Sequence, residues 1–199
     1  MDDEKYDYVL KILILGDYGV GKTSLINRYI KNTFNPINYS ILGPDVHSKI
    51  LQIENKIINL QLWDFNPQER YGNPTKFFYK GAKAIAILYD INNDYSIIRI
   101  KNWLEEIELR GPPNVIKILV GTKFDKSERK ISEEEGKSLA DEFNMLFLET
   151  SAITGYNVNE VFDFLVRDCL KNKDDLITYY KLEESNYVQG KKKTSCGIY

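Results

Sequence analysis

The stretch YVLKILILGDYGVGKTSLINRYIK, residues 8–31, decides the fold, because an apolar run, a glycine-rich loop and an amphipathic run follow one another without a break. Residues 8–15 are mostly aliphatic, which predicts a strand buried on both faces. Residues 24–31 space their apolar side chains along one face of a helix. Between them GDYGVGKTS, residues 16–24, has the spelling G-x-x-x-x-G-K-[ST]. Gly16 and Gly21 permit backbone conformations closed to residues with a Cβ, so successive amide hydrogens can turn toward one anion. The spacing therefore predicts a phosphate cradle made by Gly16, Asp17, Tyr18, Gly19, Val20, Gly21, Lys22, Thr23 and Ser24. Lys22 is expected at the β and γ phosphates of a nucleotide, and the Thr23 hydroxyl at a magnesium ion.

Working outward, residues 56–63, 84–89, 115–120 and 145–148 read as further strands. Residues 95–109, 132–143 and 158–170 carry helical spacing, and Ser132 with Glu135 spells a capping box. Residues 47–53 alternate polar and apolar before a turn at Glu54 and Asn55, which predicts one antiparallel edge hairpin. This alternation predicts an α/β fold: a doubly wound, mainly parallel sheet of about six strands with helices on both faces. Residues 1–7 are expected as an N-terminal extension, 8–171 as the single nucleotide-binding domain and 172–199 as a flexible tail.

The 199 residues, 43% of them hydrophobic, are enough for one sizeable core. With 27 basic and 29 acidic residues the net charge is −2, so bulk electrostatics do not suggest nucleic acid as a partner. The two cysteines, Cys169 and Cys196, form no disulfide framework or metal spacing, and a reducing cytosol is the expected compartment. No apolar run approaches the ~18 residues that span a bilayer.

Ligands of doubly wound sheets sit at the carboxyl ends of the strands, and the remaining polar motifs fall there. Asp64 follows one strand and is placed to hold magnesium through a water. GTKFD, residues 121–125, follows another; Asp125 can accept from the amino and ring imino groups of guanine, a donor pair that adenine lacks, while the Lys123 stem packs on the base. ETSA, residues 149–152, follows a third, where the Ala152 backbone can read the guanine carbonyl. Taken alone, TKFD also reads as a charged turn.

In order and approximate spacing, GDYGVGKTS, LQLWD (60–64), QER (68–70), FFYKGA (77–82), ILYDI (87–91), TKFD (122–125) and ETSA (149–152) resemble the small GTPases of the Ras superfamily, and within it the Rab family. The resemblance implies a small G domain of the P-loop NTPase class that binds GTP or GDP with Mg2+. It places Phe34 at the edge of the base, Thr122 where asparagine is usual, Ser151 and Ala152 at the guanine, and Gln68 as the residue orienting the attacking water. Ile153 replaces a common lysine.

Several departures fall where the γ phosphate is sensed. The family's second magnesium-binding threonine aligns with Ile41, which has no hydroxyl; Ser40 serves only if the loop slips by one residue. Pro67 stands where a glycine amide normally holds the γ phosphate, and proline has no amide hydrogen and a fixed φ. Tyr18 adds bulk beside the γ phosphate, where an activating protein's arginine would arrive.

Two readings stay open. In one, the chain is a small monomeric GTPase, a switch in vesicle and membrane trafficking with impaired hydrolysis. In the other, it is a near-inactive guanine-nucleotide-binding module acting as an interaction protein. A P-loop kinase is a distant third. The resemblance implies as partners exchange factors, GTPase-activating proteins, escort or dissociation-inhibitor proteins and effectors. In the tail, Lys191, Lys192 and Lys193 precede Cys196, whose spacing from the end fits a prenylation signal although Gly197 and Tyr199 fit it poorly. A lipidated Cys196 would place the chain on the cytoplasmic face of intracellular membranes as well as in the cytosol; an unmodified solvated tail is the alternative.

Overall fold

The computed structural model describes residues 6–36, 45–65 and 75–171. The first apolar run forms β1 (Tyr8–Gly16), and from Ile12 to Leu15 every side chain is fully buried. A strand covered on both faces has no polar side, so its residues do not alternate. The sheet has six strands in the order β2-β3-β1-β4-β5-β6. They are β2 (Asp45–Ile53), β3 (Lys56–Asp64), β4 (Ala82–Asp90), β5 (Ile116–Thr122) and β6 (Leu146–Glu149). β1 pairs in parallel with both β3 and β4, β4 with β5, and β5 with β6. β2 runs antiparallel to β3 through the anticipated hairpin, where Glu54 adopts a left-handed φ of 53°.

Helices cover both faces. On one, α1 (Lys22–Lys31) and α6 (Val158–Lys171) enclose a core in which Tyr29 stacks on Phe162 with centroids 4.1 Å apart. On the other, α2 (Thr75–Tyr79), α3 (Asp94–Ile98), α4 (Ile100–Arg110) and α5 (Glu133–Glu142) pack around buried Trp103 and Tyr79. The Ser132 and Glu135 capping box forms as spelled, each side chain bonded to the other's backbone amide.

Three differences from the sequence reading have physical causes. Strands β1, β3, β4, β5 and β6 run one or two residues past their apolar runs, to Gly16, Asp64, Asp90, Thr122 and Glu149. Side-chain hydrophobicity ends there, but the backbone ladder continues and carries polar groups into the ligand edge. The helix expected over 95–109 divides at Arg99, whose amide bonds the carbonyls of Tyr95 and Ile97 and tightens the turn. Five-residue α2 is too short to carry a periodic signal in the sequence.

The chain leaves β1 toward β3 on one side and returns to β4 on the other. The crevice at the carboxyl ends of β1 and β4 is thus the topological switch point.

Candidate functional site

Gly16 ends β1 opposite Leu88 of β4 with φ 140°, and a Cβ there would run into the Leu88 carbonyl. Glycine is required by both conformation and space. Gly19 and Gly21 have φ 78° and 100°, yet a Cβ on either meets nothing within 4 Å. The loop is therefore pressed against the sheet at its start and open toward solvent at its crest. Gly21 caps α1, which has no side-chain cap bond and no acidic residue in its first turn. The first amides of this 10-residue helix thus point at the crest without a side-chain acceptor, which suits an anion.

Lys22 is 7% exposed, and its ammonium donates to the carbonyls of Gly16 and Asp17, each at 2.9 Å. Burial pulls its pKa down to about 8, against the attraction of Asp64 and Asp17. A polyphosphate bound at this loop would hold the same ammonium charged. Nucleotide binding at pH 8 is therefore expected to take up about half a proton per molecule, since a group at its pKa is half neutral. Calorimetry in buffers of different ionisation enthalpy measures this uptake, and zero uptake at pH 8 would contradict it.

The Thr23 hydroxyl donates to the carboxylate of Asp64, which is 8% exposed at the end of β3. Burial raises the Asp64 pKa, while the Thr23 hydrogen bond and Lys22 pull it back. A hydroxyl and a carboxylate drawn together at the phosphate end are oxygen ligands of the type magnesium takes.

The far end of the crevice is built from three strand termini. The Thr122 hydroxyl lies 2.6 Å from the Val20 carbonyl and 2.8 Å from that of Tyr89, tying the phosphate loop to β4 and β5. Thr122→Val removes this tie; we expect a loss of about 1–2 kcal/mol in urea unfolding and several-fold weaker nucleotide binding. An unchanged unfolding midpoint would show that the tie carries nothing. The Lys123 ammonium donates to the Gly19 carbonyl at 2.7 Å and pairs with Asp90 at 2.7 Å, so its stem spans the opening between phosphate loop and base loops. Lys123 together with Asn92 holds the Asp90 carboxyl below the usual range despite burial. Asp125 accepts from the Ser151 hydroxyl, and Ser151 is fully buried. Arg28 of α1 donates to the carbonyls of Ala152 at 2.6 Å and Ile153 at 2.7 Å, fixing the loop whose Ala152 backbone was expected at the base.

The structure thus brings together residues 16–24, Asp64, Thr122, Lys123, Asp125, Ser151 and Ala152. Tyr18 is 74% exposed beside them, and Phe34 is half-buried just after α1. Gln68, Pro67, Ser40, Ile41 and Cys196 lie outside the described residues. Four participants escaped the sequence reading. Asp90 could have been found from its place at the carboxyl end of β4. Arg28, Arg99 and Trp103 carry no local signal. The last two grip Asp17, whose carboxylate accepts from the Trp103 indole at 3.0 Å and pairs with Arg99 at 3.3 Å. Next to Asp64, Phe65 is 3% exposed, with its ring 4.8 Å from Phe78 and 5.8 Å from Trp103. The residue that follows Asp64 is thereby packed into the core.

A glycine-rich loop at the switch point of a doubly wound sheet, with polar side chains gathered at the carboxyl ends of the neighbouring parallel strands, is the architecture of a P-loop nucleotide-binding domain. Comparison with known proteins agrees. The family model described as Ras family matches residues 11–171. The chain is 37% identical over 195 residues to the GTP-binding protein ypt2 of Schizosaccharomyces pombe, covering 98% of each chain. It is 40% identical over 171 residues to the Ras-related protein Rab-8B of Dictyostelium discoideum, covering 85% of this chain and 84% of that one. Against human Ras-related protein Rab-8B the identity is 40% over 166 residues, or 83% and 80% of the two chains. The chain belongs to the Ras family of small GTPases, in its Rab branch.

Proposed function

We propose that this chain is a Rab-type switch in vesicle trafficking that binds GDP and GTP with Mg2+ and hydrolyses GTP slowly. The observation that carries the reading is the joint placement of Lys22, Thr23 and Asp64 at one end of the crevice and Lys123, Asp125 and Ala152 at the other. Lys22 holds the β and γ phosphates, trading its two backbone carbonyls for phosphate oxygens of opposite charge. The amides of residues 19–24 cradle the phosphates at the start of α1. Thr23 gives a hydroxyl oxygen and Asp64 a water-mediated carboxylate to magnesium, with Ser40 as a further candidate; when bound, the ion supplies positive charge that offsets charge developing on the phosphates. Asp125 accepts the two guanine donors, Lys123 covers the base, and Arg28 and Ser151 hold the loop that presents the Ala152 backbone. Phe34 edges the base, and Gln68 orients the attacking water.

Slow hydrolysis follows from Pro67, which cannot donate an amide to the γ phosphate, and from Ile41, which lacks the hydroxyl of the usual threonine. Misplacement of Gln68 by ~1 Å costs on the order of a hundredfold in rate. Pro67→Gly is expected to raise single-turnover hydrolysis about tenfold to a hundredfold at unchanged GDP affinity. An unchanged rate would clear Pro67 as the cause.

The second reading, a guanine-nucleotide-binding module with little turnover, draws support from Phe65. With this residue locked between Phe78 and Trp103, the segment beyond Asp64 starts from a fixed point. Weak γ-phosphate contacts then leave little differential affinity to move it. In either reading the partners are exchange factors, activating proteins, escort or dissociation-inhibitor proteins and effectors that read residues 35–46 and 65–79. Lipidation of Cys196, assisted by Lys191–193, attaches the chain to the cytoplasmic face of intracellular membranes. Among the described residues no helix is long and apolar enough to cross a membrane.

A further inference from the structure

The loops that follow β5 and β6 are joined on their solvent side by an aromatic pair. Phe124, in the first loop, stacks on Tyr156, in the turn between β6 and α6, with ring centroids 4.8 Å apart and planes 19° from parallel. The rings are 41% and 48% exposed, so neither belongs to the core. The Arg129 guanidinium lies 5.8 Å from the Phe124 ring and donates to both carboxylate oxygens of Glu149, at 2.8 and 2.6 Å. Glu149 ends β6, and its carbonyl accepts from the Asn157 side chain at 2.9 Å. A chain of contacts therefore runs from Tyr156 through Phe124 and Arg129 to Glu149 and back to Asn157, bracketing the turn that carries Ala152. Backbone bonds join the roots of the two loops: the Phe124 amide donates to the Thr150 carbonyl at 3.0 Å, and the Thr150 amide to that of Gly121 at 2.7 Å. Between those roots Lys123 has φ 65°, a left-handed conformation that a residue with a Cβ keeps only where its surroundings hold it. Asp90 and the Gly19 carbonyl hold its ammonium, and Tyr156 holds the ring of the next residue.

We propose that Phe124 and Tyr156 are positioning residues for guanine recognition: their stack clamps the Asp125 loop to the Ala152 loop and slows nucleotide release. The proposal rests on the reading of Asp125 and the Ala152 backbone as the groups that face the base. Those two groups address neighbouring atoms of one guanine from separate loops, so an error in the distance between the loops is an error in recognition. The usable range of an N–H···O distance is only about 0.5 Å. A stacked pair outside the core suits this task, because it holds the outer parts of the loops where the β5–β6 ladder has ended.

In the test, full-length protein loaded with a fluorescent GDP is chased with excess unlabelled GDP. Affinities for GDP and for inosine diphosphate, which lacks the amino group, are measured by competition. Phe124→Ala and Tyr156→Ala are each expected to speed GDP release about twofold to tenfold, the contribution of one aromatic pair, and to narrow the preference for GDP over inosine diphosphate by at least about twofold. The double variant is expected to release no faster than the faster single one, because either truncation already breaks the stack. Phe124→Tyr and Tyr156→Phe keep both rings and are expected to behave as the parent. A general loss of stability would weaken both nucleotides alike and add up in the double variant; that result, or unchanged release in both alanine variants, overturns the proposal. Asp125→Asn, run beside them, separates the clamp from the reading beneath it. A preference lost in Asp125→Asn but intact in both alanine variants removes the clamp alone, and a preference intact in Asp125→Asn removes both.

Discussion

Replacing Lys22 by alanine is expected to weaken binding of both GDP and GTP by about a hundredfold to ten-thousandfold. In the described structure its ammonium is buried and already aimed into the loop by the carbonyls of Gly16 and Asp17. A phosphate oxygen arriving there meets a charged donor with little water around it. Each charge-assisted contact contributes about 1.5–3 kcal/mol, and two such contacts give the stated range. The same substitution leaves the two carbonyls without their donor, so thermal unfolding separates loss of the loop from loss of the ligand. Titration with a fluorescent GDP reads the affinity. A folded Lys22→Ala protein that binds GDP as the parent does would remove the phosphate-loop assignment.

Asp125→Asn is expected to cost guanine nucleotides about 2–4 kcal/mol, thirtyfold to a thousandfold in affinity, and to improve binding of xanthine nucleotides. The carboxylate accepts only, which matches the amino and ring imino donors of guanine. An asparagine amide offers one donor and one acceptor, which matches xanthine, where a carbonyl replaces the amino group. The partner geometry argues against collapse of the loop: Ser151 remains available to hydrogen-bond the amide oxygen in place of the carboxylate. Competition between the two nucleotides measures the change. Equal guanine affinity in the variant would mean that Asp125 is the charged turn that TKFD alone also allows.

The phosphate loop was legible because its spelling encodes a backbone requirement, and Gly16, Gly19 and Gly21 do adopt positive φ. The buried strands were legible for a similar reason: β1 and β4 are apolar on both faces and leave no other home for those side chains. What escaped were contacts made between distant parts of the chain. Arg28 meets Ala152 across 124 positions, and Trp103 meets Asp17 across 86. Nothing local to either residue distinguishes it from an ordinary helical arginine or core tryptophan. The sequence therefore points to Thr122, Lys123, Asp125, Ser151 and Ala152 but not to Asp90, which pairs with Lys123, or to Arg28, which holds the Ala152 loop. Phe65 was also missed, because its role depends on Phe78 and Trp103 converging from two other elements.

Single-turnover hydrolysis of GTP by the purified protein with magnesium, run beside GDP and GTP affinities, is the most direct test. The expected result is tight guanine-nucleotide binding with slow, magnesium-dependent turnover, at or below the ~10⁻⁴ s⁻¹ scale of unassisted small GTPases. Tight and nearly equal binding of GDP and GTP with no turnover would contradict it.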